Sequence, residues 1–125
     1  MARTALLLIA HGSRRAEANA DLEHLAADLH RRSEYAHVQV SYLELAEPTI
    51  TAGAELCVRA GADDVVMLPY FLSPGVHVTE DLTKAKADLA ARFPAVTFRL
   101  APPLGRHPLL AEIVRQRAAE APDTP

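Results

Sequence analysis

At four places in this 125-residue chain an ionisable side chain follows directly on an apolar run. His11 closes Leu6-Leu7-Leu8-Ile9-Ala10 and is followed at once by Gly12, Ser13, Arg14 and Arg15. Glu44 and Glu47 sit in YLELAEP, His77 and Glu80 in PYFLSPGVHVTEDL, and Arg106 and His107 in PLGRHP. A neutral imidazole is the form that ligates a metal or accepts a proton, and a nearby carboxylate suits either task. His77 and Glu80 stand three residues apart, one helical turn, which is the spacing of a pair of ligands on one face. The bland alternative for Glu80 is charge matching to a helix N-terminus, and Glu47 before Pro48 is equally a polar helix start. Gly12 allows a tight backbone turn and the close approach of a ligand. Ser13 either caps the next helix or joins the site, and Arg14 and Arg15 are either solvated or meet substrate carboxylates. Tyr70, Phe71 and Leu72 are packing residues in most settings; beside a metal they suit a flat apolar ligand.

The elements that must position these residues follow from hydrophobic period. Thr4–Ala10 reads as an apolar strand, and residues 16–32 switch to helical spacing through Leu22, Leu25, Ala26 and Leu29. His37–Leu43 alternates as a second strand, with a helix expected from Pro48 to Gly61. Asp64–Pro69 is a third strand; Ser73, Pro74 and Gly75 mark a loop, and Val78–Arg92 a third helix through Leu82, Ala85 and Leu89. Ala95–Leu100 is a fourth strand, and Pro108–Ala118 carries Leu109, Leu110, Ile113 and Val114 as the stripe of a last helix. The expected domain is residues 1–118, with a frayed tail over 119–125. Four strand and helix pairs with short connections call for an α/β domain, a four-stranded parallel sheet with helices on both faces. In such sheets ligands bind beyond the carboxyl ends of the strands. All four candidate groups fall there.

Other histidines fit the bland reading better. His24 and His30 lie off the apolar stripe of the first helix, His37 begins a strand at the wrong end of the sheet, and His107 before Pro108 suits a structural turn. Cys57 is the sole cysteine, which excludes an internal disulfide and makes it a small buried hydrophobe. Lys and Arg number 13 against 16 Asp and Glu, a net charge of −3, so no nucleic-acid surface is expected. No apolar run is long enough for a membrane span or a signal peptide, and the expected location is the cytoplasm. No glycine-rich nucleotide loop is present.

AHGSRRAEAN, YLELAEPTI, LPYFLSPGVHVTEDL and PLGRHPLL, in this order, resemble the short form of the sirohydrochlorin cobaltochelatase family, class II chelatases related to ferrochelatase. The likeness runs from about Ala5 to Val114, and the combination of AHGS with PYFLSPGVHV carries it. It implies a single flavodoxin-like, chelatase-like domain that inserts a divalent metal into sirohydrochlorin without ATP, toward cobalamin or sirohaem. The metal is a substrate, Co2+ as first expectation and Fe2+ or Ni2+ as alternatives, with no permanently bound cofactor. The resemblance makes His11 and His77 the metal-binding and proton-accepting pair, assisted by Glu80 or Glu44. It also sets Ser13, Arg14, Glu44, Tyr70, Phe71, Leu72, Ser73, Gly75 and Val76 against the tetrapyrrole. The larger relatives have two such halves in one chain, so a homodimer holding the tetrapyrrole between subunits is expected here. A non-catalytic metal or tetrapyrrole carrier is the alternative. A phosphoryl-transfer enzyme with His11 as nucleophile is disfavoured, because histidine phosphatases place an arginine before His-Gly and Ala10 stands there.

Overall fold

The computed structural model describes residues 2–32 and 34–124. Chain order is β1 (Thr4–Ala10), α1 (Ala16–Arg31), β2 (His37–Tyr42), α2 (Ile50–Arg59), β3 (Asp64–Pro69), α3 (Val76–Arg92), β4 (Thr97–Leu100) and α4 (Leu109–Ala119). The strands form one parallel sheet in the order β2-β1-β3-β4. The chain therefore leaves β1 toward one edge and returns past it toward the other, so strand order reverses between β1 and β3. That reversal opens a crevice at the carboxyl ends of the strands.

Strand β1 has the most apolar sequence because it is central. Ala5, Leu7 and Ile9 point to one face, where they pack with Val65, Met67 and Phe98 against Ala54 and Cys57 of α2 and Leu82 and Leu89 of α3. Leu6 and Leu8 point to the other, against Leu22 and Ala26 of α1 and Tyr42 of β2. Fully burying each of these leucines stabilises the fold by roughly 1.5–3 kcal/mol. Cys57 has no exposed surface, and burial pushes its thiol up to about 12. Ser41, also buried, donates its hydroxyl to the Leu8 carbonyl at 2.9 Å and so strengthens the β1–β2 pairing.

Three elements start two residues away from the sequence expectation, each for a local reason, and the other ends agree to within one or two residues. Helix α2 starts at Ile50 rather than at Pro48, because the Thr49 side chain caps it by accepting from the Ala52 amide. Strand β4 starts two residues late, since the Val96 amide turns back to the Phe93 carbonyl. Helix α3 starts two residues early: Gly75 is its N-cap, and the Gly75 carbonyl accepts from the Thr79 amide. His77 therefore lies inside the first turn of α3.

The last helix forms where its stripe predicted, but it does not pack. No residue of α4 is buried, and Leu109, Ile113 and Val114 are 64%, 51% and 65% exposed. The apolar period is real, but the stripe it forms stays mostly exposed.

Candidate metal and tetrapyrrole site

Strands β1 and β2 stay paired past their formal ends, the Leu43 amide bonding the Ala10 carbonyl and the Glu44 amide the His11 carbonyl, at 2.9 and 3.1 Å. This places His11 and Glu44 side by side on the lip of the sheet. His11 Nε2 lies 2.9 Å from Glu44 Oε1, with both side chains more than half exposed. A carboxylate on one ring nitrogen orients the imidazole and leaves the other nitrogen for a ligand.

Gly12 makes that pairing possible, in a way its sequence position did not reveal. Its φ is +98°, and a Cβ there would stand 1.9 Å from the Glu44 carbonyl oxygen. Gly12 thus permits a close approach by the Glu44 backbone. Ser13 likewise does not cap α1: Arg15 holds the N-cap position, and Ser13 Oγ accepts from the Arg15 amide at 3.1 Å. Asn19, on the first turn of α1, fixes the loop instead. Its Oδ1 accepts from the Ser13 amide at 3.0 Å while its Nδ2 donates to the Ser13 carbonyl at 2.7 Å. The Tyr42 hydroxyl in turn donates to the Asn19 carbonyl, and burial raises that phenol above its ordinary range. Ser13, Arg14, Asn19, Glu23, Leu45 and Glu47 help line a polar hollow of about 330 Å3 beside His11. Leu45, in the loop after Glu44, adopts φ +65°, a conformation rare outside glycine and asparagine.

Across the crevice, the loop after β3 is tied to β1 by the Tyr70 amide, which bonds the Ile9 carbonyl at 2.7 Å. From the other side the Leu104 amide bonds the Phe71 carbonyl, and Gly105 passes so close to Leu72 that a Cβ would fall 1.6 Å from its carbonyl oxygen. Leu72 and Val76 are strongly exposed, as are Leu45 and, to a lesser degree, Tyr70. Apart from Leu56, the exposed large apolar side chains among the described residues are these four at the carboxyl edge and three on α4. An exposed apolar rim around a histidine–carboxylate pair fits a flat ligand with an apolar face.

Of the candidate residues, the structure brings together His11 and Glu44, with Ser13 and Arg14 beside them. Tyr70, Phe71, Leu72, Ser73, Gly75 and Val76 form the adjoining loop and lead into His77. It does not gather His11, His77 and Glu80 into one cluster: among the described residues no three His, Cys, Asp or Glu side chains lie close enough to hold a metal ion. The carboxylate on His11 is Glu44, while Glu80 lies exposed a turn beyond His77. Gly75 has open space where a Cβ would be. His107 is structural, its Nδ1 accepting from the Leu109 amide at 3.1 Å. Asn19 and Gly105 were missed by the sequence reading. The only sequence signal for Asn19 is its place in AHGSRRAEAN, and for Gly105 its place in PLGRHP.

A family model described as CbiX matches residues 5–121. The chain is 38% identical over 112 residues to the chloroplastic sirohydrochlorin ferrochelatase of Arabidopsis thaliana, covering 90% of this chain and 50% of that protein. It is 33% identical over 117 residues to the sirohydrochlorin cobaltochelatase of Priestia megaterium, covering 94% of this chain and 38% of that one. The chain thus spans half or less of the length of these two relatives. Among solved structures, a cobalamin biosynthesis CbiX protein from Marinobacter aquaeolei superposes with a TM-score of 0.80 at 30% identity, over 94% of this chain and 95% of that one. The sirohydrochlorin chelatase SirB from Bacillus subtilis subspecies spizizenii, solved in complex with cobalt, gives 0.85 at 28% identity, over 94% of this chain and 50% of that one. No helix among the described residues is long and apolar enough to cross a membrane.

Proposed function

Because the chain belongs to the CbiX family, we propose that it is a sirohydrochlorin chelatase, inserting a divalent metal ion into the tetrapyrrole without ATP in cobalamin or sirohaem biosynthesis. The observation that carries this reading is the His11–Glu44 pair, 2.9 Å apart on an exposed lip at the strand-order reversal. Metal insertion removes two pyrrole N–H protons, so it needs bases at the ring face and a site that captures the ion and then gives it up. A closed set of four protein ligands would retain the ion. His11, held by Glu44, and His77 in the first turn of α3 offer imidazoles with positions left open for the ring nitrogens. The proposed course is capture of the metal by these histidines, transfer to the ring, and acceptance of the protons by His11, His77 or water. The Glu44 carboxylate stabilises His11 once it is protonated.

The exposed rim of Leu45, Tyr70, Leu72 and Val76 supports the ring, and Arg14 is placed to meet its carboxylates. Co2+ is the first choice of metal, with Fe2+ and Ni2+ the alternatives, since imidazole and carboxylate accept all three. The metal is consumed as substrate and no resident cofactor is invoked. We place the reaction in the cytoplasm and the protein as a homodimer that encloses the tetrapyrrole between subunits. Its support is that a single unit matches half of SirB and nearly all of the Marinobacter protein.

His11→Ala and His77→Ala variants test the assignment, with sirohydrochlorin binding read by absorbance and metallation by initial rate. Retained binding with at least a ~100-fold loss of rate is expected. Wild-type rates in both variants would remove these histidines from the mechanism, and a wild-type chain that binds without turning over would make the protein a carrier.

A further inference from the structure

The backbone at position 45 does not ask for a leucine. The chain runs beside β1 until the Glu44 amide bonds the His11 carbonyl, yet by Pro48 it has come back far enough for its carbonyl to accept from the Tyr42 amide. The reversal falls on residues 45–47, and Leu45 makes it by turning to φ +65°. A residue with a Cβ disfavours that angle by roughly 10-fold relative to glycine. Asparagine tolerates it several-fold more often than most residues. The fold alone therefore favours glycine or asparagine here.

Packing does not explain the leucine either. Leu43 and Ala46 on either side of it pack against the two cores, one on each face of the sheet, whereas Leu45 joins neither and is 50% exposed. A half-exposed side chain realises only part of the hydrophobic gain of a buried one. Leu45 stands instead at the hollow beside His11, whose other walls include Arg14, Asn19, Glu23 and Glu47. Strain held at an exposed residue beside a candidate site points to a role outside the fold. The sheet order shows which role is open to it, because β2 lies on one side of β1 and β3 on the other. Tyr70, Leu72 and Val76 form the exposed apolar rim on the β3 side of His11. At the carboxyl edge, Leu45 is the only exposed large apolar side chain on the β2 side among the described residues. Tyr70 lines a second hollow, of about 290 Å3, which shares Ser13, Asn19 and Tyr42 with the first. Leu45 and Tyr70 thus flank the loop that carries His11, and their parent strands lie two intervals, about 10 Å, apart.

We propose that Leu45 centres the tetrapyrrole over His11, holding the edge of the ring on the β2 side while Tyr70, Leu72 and Val76 hold the edge on the β3 side. This rests on the chelatase reading above and adds a positioning residue to it. With three apolar side chains on one flank and one on the other, removing Leu45 leaves the ring bound by a single flank. The ring nitrogens then drift from His11, so the loss falls on the metallation step as well as on binding. An apolar side chain is needed at 45 for that contact, and the left-handed backbone is what presents it beside Glu44.

The test compares Leu45→Asn with Leu45→Met in the full chain. Asparagine relieves the backbone and removes the apolar contact at similar length, whereas methionine keeps the contact and the strain. Leu45→Asn should melt at the wild-type temperature or up to ~4 °C above it. Its kcat at saturating sirohydrochlorin should nonetheless fall 10-fold or more, the loss expected when reacting groups are misplaced by a fraction of an ångström. Leu45→Met should keep a near-wild-type kcat, as a volume-conserving apolar exchange. A lower melting temperature with unchanged kcat in Leu45→Asn would make Leu45 a residue of the fold and overturn the proposal. A raised KM with unchanged kcat would make it a contact that does not centre the ring, which overturns the proposal as well. If the wild-type chain binds sirohydrochlorin but metallates no ion, the chelatase reading fails alone, and ring affinity decides: binding ~5-fold weaker in Leu45→Asn but not in Leu45→Met upholds the contact, and equal affinity overturns it. A wild-type chain that does not bind the ring overturns both.

Discussion

Substituting Gly12 by alanine isolates the geometry on which the site depends, because Gly61 supplies a matched control. Both glycines sit at nearly the same left-handed angle, φ +98° and +96°. The backbone strain of adding a Cβ is then nearly the same, roughly 1–2 kcal/mol. Their surroundings differ. At Gly61 the new Cβ meets the end of the Arg3 side chain at 2.9 Å, a flexible group that can swing aside. At Gly12 it meets the Glu44 carbonyl oxygen at 1.9 Å, against about 3.3 Å for an ordinary carbon–oxygen contact, so the two backbones must separate by roughly 1.4 Å. That breaks the Glu44 amide bond to the His11 carbonyl, worth about 1 kcal/mol, and carries His11 out of reach of Glu44. Gly61→Ala should lose ~1–2 kcal/mol in urea unfolding and metallate sirohydrochlorin at the wild-type rate. Gly12→Ala should lose ~2–3 kcal/mol and, with its reacting groups misplaced by about 1 Å, some 100-fold in rate. Equal rates in the two variants would refute the claim that Gly12 holds the catalytic pair together.

Two further outcomes follow from named contacts. Asn19→Ala removes both arms of the clamp on Ser13 and should lower the metallation rate with a stability loss of about 1–3 kcal/mol; Asn19→Asp keeps the acceptor and should recover part of the rate, and a wild-type rate in Asn19→Ala would show that the clamp does not position His11. Asp64 is held below its ordinary value of 3.8 by Arg99 and then by Thr4, so its contribution to stability is complete above that value and is lost as pH falls through the lowered one; Asp64→Asn should flatten the loss of stability below about pH 4, and an unchanged acid limb would contradict it.

How far the sequence can be read depends on whether a feature is local. Strands β1 and β3 are legible to the residue because each is a continuous apolar run bounded by turn or charged residues, and together they fix the edge where the site lies. His11 and Glu44 are legible as residues at strand ends, but their 2.9 Å contact depends on how far β1–β2 pairing continues, which no periodicity reports. The roles of Gly12, Asn19 and Gly105 are contacts with backbone, and a carbonyl at residue 44 or 72 leaves no mark in residue type. Helix α4 shows the complementary limit. The spacing of Leu109, Ile113 and Val114 identifies a face that needs covering and is silent on what covers it.

The most direct measurement of the central claim is the absorbance change when the purified chain is mixed with sirohydrochlorin and Co2+, Fe2+ or Ni2+ in turn. Acceleration over the spontaneous reaction with at least one ion, abolished in the His11→Ala variant, is the predicted result. No acceleration with any of the three would contradict the assignment.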